Sequence, residues 1–446
     1  MARTRLLALA VAAAALAGCA DTSSGPADPT RAAPPSSAGS SPAASEAPSP
    51  PRVELAVVGH ATRPQLELTG AQVQRFASGR VDRWRGLRVL SGLPAGRAIT
   101  AVERDPRTLA VVPLSSVGPT VVAARVDGVD PVRDRRGAQD LLVVGDVMLA
   151  RGVRDPAAAL APMSRMLRAA DLTVGNLEST LSTRGAPTQG GDSFGGSREL
   201  LGPLRRAGFD TLSLANNHAG DYGQQALLET VGALAGAGLA PFGAGADVAA
   251  ASRASVIERG GVRFGFVGFN AIGETPRATG GSAGALSVRM PPRTGPLVQE
   301  DLDRVLRVVR RTGRQADVVV VLPHWGTQYT HVPEPIQRRV GRELVGAGAD
   351  LVVGGHPHWV QGVDSVAGVP VLHSLGNFVF DMDFMDQTME GVVLEATFWG
   401  AELRAVRLRP YRMDPSVFAP RRLSGAAAAR ILDQVWSTST GPYADR

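Results

Sequence analysis

Six times beyond residue 140, an apolar run breaks off into residues that carry chemistry. Leu141–Val144 leads to Gly145-Asp146, "DLTVGNLEST" to Asn176 and Glu178, and "DTLSLANNH" to Asn216, Asn217 and His218. "DVVVVLPHW" delivers His324, "DLVVGGHPHW" delivers His356 and His358, and "VPVLHSLGN" delivers His373 and Asn377. Short runs rich in Val and Leu, bounded by Gly and Asp, read as buried strands of a largely parallel sheet. Between them, "QQALLETVGALAGAG" and "LVQEDLDRVLRVVRRTG" space their apolar residues as helices do, and "GVRFGFVGFN" reads as a further strand. This alternation predicts layered α/β packing. "SGAAAARILDQVWS" predicts a short C-terminal helix followed by a frayed tail.

Residues 53–137 read as a small α/β unit of their own. "VELAVVG", "GRAITAV", "LAVVPLSSVG" and "TVVAARVDG" are strand candidates. "LTGAQVQRFASGRVDRWRGL" reads as an amphipathic helix with a turn at Ser78-Gly79. The charged, Gly-bearing stretch 130–140, "DPVRDRRGAQD", predicts a linker into the larger body. The helix segment and "LAVVPLSSVGPTVVAARVDG" resemble pieces of the phosphate-type periplasmic binding-protein fold, reduced to one small lobe. That fold holds its anion between two full lobes, so a packing module and a ligand-binding lobe stand as alternatives.

The chain's beginning bears on where this body works. Arg3 and Arg5 precede an apolar run too short to span a bilayer, closing on Leu16-Ala17-Gly18-Cys19. That ending resembles the lipobox of bacterial lipoproteins, whose cysteine becomes the lipidated first residue; an ordinary secretory signal or an uncleaved anchor is the alternative. Ser, Pro, Ala, Gly and Thr dominate 20–52, a composition that buries too little to order itself and predicts a flexible tether. With one cysteine, a disulfide framework is excluded. All 47 basic side chains other than histidine are arginine, against 41 acidic ones, for a net charge of +6. Aromatics make up 5%, and none form a stacking strip among the arginines, which argues against nucleic acid as a partner. The positive balance favours anionic substrates or an anionic cell surface.

Strand ends are where open α/β sheets place their sites. A single histidine there is more often a hydrogen-bonded boundary residue, and Gly-Asp is an ordinary turn. Ends bearing Asp, Glu, Asn-His and His-x-His together point to a metal instead. Imidazoles and carboxylates suit borderline divalent ions such as Zn, Mn or Fe. His356 and His358 cannot face one way on a straight strand, so Pro357 predicts a turn on which both rings converge. Asp221 is expected to cap or orient the His218 loop, and Asn176 to hydrogen-bond near the site. Trp325 and Trp359 either wall a cleft or pack. His331 reads as a surface residue, His373 as a support for the ligands, and Asn377 as a loop residue supporting the site. The Gly-rich stretch 184–197 reads as a mobile loop beside the cleft, without the order of a phosphate cradle.

"GDVML", "NLEST", "SLANNHAGDYG", "HWGTQYTHVP" and "GGHPHWVQ…HSLGNFVFD" follow one another in this order. With them, residues 140–410 resemble the CapA family of capsule or poly-gamma-glutamate synthesis proteins, within the calcineurin-like metallophosphatase superfamily. The resemblance implies an α/β fold with a layered, αββα-type main domain beside the small α/β N-terminal domain. By position it implies Asp146, Glu178, Asn217, His324, His356 and His358 as metal ligands, with Asp146 as a bridge if two ions are held. His218 becomes the acid or transition-state donor, and Asp221 stands behind it as its catalytic partner. The superfamily pattern opens with Asp-x-His where this chain has Gly145-Asp146-Val147, and valine offers no ligand. One or two divalent ions (Mn, Fe or Zn) are therefore implied, and no other cofactor.

The chain then divides into a lipoprotein signal peptide at 1–19, the tether at 20–52, the small domain at 53–137, a CapA-like domain at 138–412, and a helix and tail at 413–446. Three functions follow as alternatives. The first is an extracytoplasmic, lipid-anchored, metal-dependent hydrolase of phosphoester-type bonds, acting on an anionic small molecule or envelope polymer at the outer face of the cytoplasmic membrane. The second is a capsule or poly-gamma-glutamate biosynthesis or anchoring protein, working with the synthesis machinery and without simple phosphatase activity. The third is a non-catalytic binding lipoprotein.

Overall fold

Side chains alternate across a strand, and the central strands here are apolar on both faces, so each sheet must be covered twice. The computed structural model describes residues 54–444 and satisfies this with two sheets packed face to face and helices on their outer sides. The predicted signal peptide, lipidated Cys19 and tether lie outside the described residues. Among the described residues, no helix is long and apolar enough to cross a membrane.

The strands that position the site are, in chain order, β1 (Ala138–Val147), β2 (Leu172–Leu177), β3 (Thr211–Ser213), β4 (Val262–Asn270), β5 (Val318–His324), β6 (Leu351–Val353), β7 (Val369–Leu372), β8 (Asn377–Val379), β9 (Glu390–Trp399) and β10 (Glu402–Asp414). The helices used below are α1 (Pro156–Ala169), α2 (Gly223–Gly236), α3 (Gln299–Thr312), α4 (Pro335–Gly346) and α5 (Gly425–Trp436). In the eight-stranded sheet, β3, β2 and β1 run parallel, β8 lies parallel to the end of β1, and β9 and β10 extend the sheet antiparallel. In the six-stranded sheet, β4, β5, β6 and β7 are parallel neighbours.

Alternation sorts the core. Leu141 and Val143 of β1 join Phe264, Phe266, Val318 and Val320 in one cluster between the sheets, while Leu142 and Val144 join Leu160 of α1 and Leu227 of α2. Val319 and Val321 sit under Leu302 and Val305 of α3 and Val340 and Leu344 of α4. Helix α3 buries Leu302, Val305, Leu306 and Val309, carries Glu300 and Asp301 in its first turn, and has Arg310 and Arg311 in its last. That arrangement satisfies both amphipathicity and the helix dipole. Asp155 caps α1 by accepting from the Ala158 N–H, with Pro156 at the first helical position. The architecture is mixed α/β, as the alternation predicts.

Residues 55–123 form a five-stranded sheet, in the order Arg83–Trp84, Leu87–Leu90, Thr108–Pro113, Leu55–His60, Val121–Ala123. Its core takes in Ala405 of β10, with Trp399 of β9 packed against it. Three expectations change in this region and at the C-terminus. "GRAITAV" lies in a helix, Ala95–Arg104, because Ala98 and Val102, four apart, both bury; that packing outweighs the β-branched Ile99 and Thr100. The stretch 130–140 is a packed connection: Val132 is fully buried, its carbonyl accepts from Trp399 Nε1 at 2.8 Å, and buried Asp130 pairs with Arg407. The tail is anchored, since Tyr443 is buried and its hydroxyl donates to the Pro119 carbonyl at 2.9 Å.

Candidate metal centre

Parallel strands deliver their last residues to one end of a sheet, and here both sheets do so at the same place. Asp146 lies within β1, where the register with β2 shifts between Val143 and Asp146. Gly145 permits this: a Cβ there would stand 1.8 Å from the Gly376 carbonyl oxygen, which also accepts from the Asp146 N–H at 3.1 Å. The Asp146 carboxylate is fully buried. Its Oδ1 accepts from Asn176 Nδ2 at 2.8 Å and its Oδ2 from the His356 N–H at 3.1 Å. Burial pushes its pKa up to about 6, although both hydrogen bonds favour the charged form.

Glu178 follows β2 and is fully buried. Burial, and then the charges of Asp146 and Asp221, raise its pKa well above the usual carboxylate range. Asp146, Glu178 and His358 bring one donor atom each within 4.8 Å of one another. Asn377 sets the His358 tautomer: its Oδ1 accepts from His358 Nδ1 at 2.8 Å, leaving the lone pair on Nε2. Burial holds the His358 pKa down at about 4, so the ring is neutral and able to bind an ion at neutral pH.

The remaining expected ligands gather around this triad. His324 ends β5, with Nε2 at 3.8 Å from Glu178 Oε1. It also donates from Nε2 to Asn217 Oδ1 at 2.8 Å and accepts at Nδ1 from Asn176 at 3.3 Å. Asn217 passes that bond on, its Nδ2 donating to Glu274 Oε2 at 2.7 Å. His356 is buried, with its ring centroid 5.0 Å from that of His324 and 5.8 Å from that of His358. Burial, followed by neighbouring histidines, keeps the pKa of His324 and His356 well below the ordinary imidazole value.

The turn expected at Pro357 is present, and it is a strained one. His356 and His358 adopt φ values of +95° and +59°, in the left-handed region that side chains disfavour. Both His356 ring nitrogens and Glu178 Oε1 are buried without a hydrogen-bond partner among the described residues. Unpartnered buried imidazole nitrogens beside the Asp146–Glu178–His358 cluster fit a divalent ion better than they fit any purely structural role. A cavity of about 10 Å³, close to one water in size, lies against Asp146, Asn176, His324 and Gly355.

His218 follows β3. Its Nδ1 donates to Asp221 Oδ2 at 2.8 Å, and its Nε2 lies 4.0 Å from Glu178 Oε1. Phe194 stacks on the imidazole with centroids 3.7 Å apart, and the Phe194 N–H donates to Asp221 Oδ2 at 2.6 Å. Gln189 donates to Asp221 Oδ1 at 2.5 Å and to the Asn217 carbonyl at 3.0 Å. The stretch 184–197 is therefore no loose loop but one wall of the site, held by Asp221. Arg151 lies over the other side of Phe194 and pairs with Asp381. Composition and periodicity carried no sign of Gln189, Glu274 or Arg151; the one signal for Phe194 is a lone aromatic among glycines in "GGDSFGGS".

Other expectations separate cleanly. Asn176 bonds Asp146 directly, and Asn377 does more than support a loop, since it orients His358 of the cluster. Trp325 packs, fully buried, with Nε1 donating to the His373 carbonyl. His373 does not serve the ligands: it pairs with Asp364 at 3.0 Å, beneath Trp325. His331 is half-buried against Trp359, hydrogen-bonded to the Val360 carbonyl at 2.7 Å, rather than a surface residue. Two residues past Asp146 stands Met148, buried, with its sulfur accepting from the Ala150 N–H. Met148, not Val147, occupies the histidine place of an Asp-x-His pair.

The sequence profile of the bacterial capsule synthesis protein PGA_cap matches residues 140–382, which is 243 of the chain's 446 residues. The chain belongs to the PGA_cap family. Every residue of the centre described above falls inside the matched span, and the five-stranded sheet falls outside it. Among its relatives, the capsule biosynthesis protein CapA of Bacillus anthracis is 30% identical over 295 residues, 63% of this chain and 70% of that protein. The PGA biosynthesis protein CapA of Bacillus subtilis (strain 168) is 30% identical over 248 residues, 53% of this chain and 62% of that protein. The chain thus spans less than two thirds of the second relative. Among solved structures, a hypothetical protein from Thermus thermophilus aligns with a TM-score of 0.39 at 19% identity, covering 61% of this chain and 99% of that one.

Proposed function

We propose that this protein is an envelope-associated accessory factor in the biosynthesis of a capsule or poly-gamma-glutamate polymer, and that it works with a divalent metal ion. The observation that carries the proposal is the buried Asp146–Glu178–His358 cluster with orphaned His356 beside it, inside the span that the family profile matches. Asp146, Glu178, His356 and His358 would hold the ion, with His324 and Asn217 completing the set once their mutual hydrogen bond opens. The ion is Mn, Fe or Zn, in one copy or two. When bound, it supplies Lewis acidity and a charge that orients an anionic substrate. The two sheets with flanking helices suit an αββα, calcineurin-like arrangement. Residues 53–137 are proposed as a separate small α/β module and 138–412 as the CapA-like domain, with the C-terminal helix and tail at 413–446. The sequence signal ending at Cys19 supports export and lipid anchoring at the outer face of the cytoplasmic membrane.

A second reading, hydrolysis of a phosphoester-type bond, is favoured by His218 and Asp221. Asp221 fixes the Nδ1–H tautomer, so Nε2 is the atom that takes or gives a proton. Phe194 covers one ring face and limits water there.

In the source organism, deletion of the gene should reduce the envelope polymer. Wild-type protein should restore it, and the His356→Ala/His358→Ala protein, exported at equal level, should not. Full restoration by that variant would refute a metal-dependent role. Release of phosphate from a model ester by the wild-type protein, lost in His218→Ala with metal retained, would establish the second reading.

A further inference from the structure

Helix α3 and the turn after it present Arg304, Arg307, Arg310, Arg311 and Arg314 around a concavity of about 420 Å³, closed by Val248, Ala249 and Ser252. Among the described residues, no acidic side chain lines it. Positions 304, 307 and 311 fall on one face of the helix, and Arg314 follows in the turn after it, so the arginines are spread along the groove over about 15 Å of chain. Only Arg304 reaches carboxylates, Glu300 at 3.6 Å and Asp301 at 3.8 Å. Arg311 donates to the Ser252 carbonyl and Arg314 to that of Arg310, and Arg307, Arg310, Arg311 and Arg314 are exposed. None of those four has an ion pair among the described residues.

The helix dipole rewards Arg310 and Arg311 in the last turn, but it gives no reason for Arg307 in mid-helix. Like charges at this spacing repel one another, and apart from Arg304 none of them has a carboxylate ion-pair partner among the described residues. The groove also lies apart from the metal centre. Strand β5 starts at Val318, just past the patch, and reaches the centre at His324, about 20 Å away at strand rise.

We infer that this groove is a second binding site, for a polycarboxylate polymer. Several arginines spread along one groove suit an extended chain with repeated acids, whereas a compact anion would meet only one or two of them. Arginine's planar fork matches a carboxylate in bidentate fashion. Among the described residues, no aromatic lines the groove to stack a nucleobase, and no large apolar side chain stands exposed in it to enter a bilayer. The inference rests on the reading that the protein serves an acidic envelope polymer.

Fluorescein-labelled poly-gamma-glutamate would be titrated with the full chain and followed by anisotropy, beside neutral dextran, single-stranded DNA and phosphatidylglycerol vesicles. The polymer binds and dextran does not, binding weakens as salt rises, and a chelator leaves it intact. R307Q/R310Q/R311Q/R314Q binds about tenfold or more weakly while keeping its metal content, and the matching four-lysine variant, with the charge but not the bidentate fork, recovers only part of that loss. Undiminished binding by the glutamine variant overturns the site. So does a wild-type chain that takes up vesicles or DNA in preference to the polymer. A chain that holds metal yet ignores the polymer overturns the groove alone, whereas polymer binding without metal removes only the metal-dependent reading.

Discussion

One hydrogen bond turns His358 toward the centre. With Asn377 Oδ1 gone, Nδ1 loses the hydrogen bond that fixes its tautomer, and only packing by Tyr329 and Phe380 still orients the ring. Asn377→Ala should weaken metal affinity about 10- to 100-fold, as loss of an outer partner of a ligating histidine does, measured by competition with a chromogenic chelator. Unchanged affinity would contradict the assignment of His358. Protons compete at the carboxylates. Asp146, raised by burial to about 6, takes up a proton as pH falls through that value, and the proton on Glu178 is favoured by burial well above its usual range, so an ion competes with protons at both. His358, at about 4, is already neutral through that window. Metal affinity should therefore fall as pH drops through about 6, and an affinity that stays level until pH 4 would contradict this. At this scale the sequence was informative wherever an apolar run ended, which is how Asp146, Glu178 and His358 could be named. It was silent on Arg151, Gln189 and Glu274, because they lie on irregular segments whose positions only the tertiary fold decides.

Among elements, the end of β1 is the most constrained. Alanine at Gly145 would drive its Cβ to 1.8 Å from a backbone oxygen that cannot swing away, and should cost at least about 1–3 kcal/mol. Gly232, exposed inside α2 with nothing within 4 Å of an added Cβ, offers the opposite case; Gly232→Ala should gain roughly 0.5–1 kcal/mol. Equilibrium urea denaturation of the two variants reads both signs. A neutral Gly145→Ala would mean that the close approach of β1 and the 376 turn is not rigid. The strands and amphipathic helices of the main body were legible because their periodicities, two and 3.6, are enforced by burial on definite faces. "GRAITAV" misled because a short run with β-branched residues fits either period, and only the sheet beneath Ala98 and Val102 decides between them.

Across the whole molecule, the five-stranded sheet is tied to the main body by buried charge as well as by apolar packing. Asp130 and Arg407 are 6% and 10% exposed at their side chains and pair with each other. Burial disfavours ionisation of Asp130, but the Arg407 hydrogen bond and charge outweigh it and lower its pKa. Asp130→Ala would leave the guanidinium buried without its partner, at a cost of about 3–5 kcal/mol, and Arg407→Met in the same chain should recover most of it. A single-variant loss below about 1 kcal/mol, read by denaturation, would show that the pair is effectively solvated. This attachment was not legible beforehand, because a charged, Gly-bearing stretch looks like a linker until its partners on β10 are known.

The most direct test of the account is the metal content of the purified full chain, measured by inductively coupled plasma mass spectrometry alongside Asp146→Ala and His356→Ala/His358→Ala. Stoichiometric divalent metal is expected in the wild-type protein, and its loss from both variants while the fold is retained. A wild-type chain that takes up no metal, or folded variants that keep it, would contradict the centre described here.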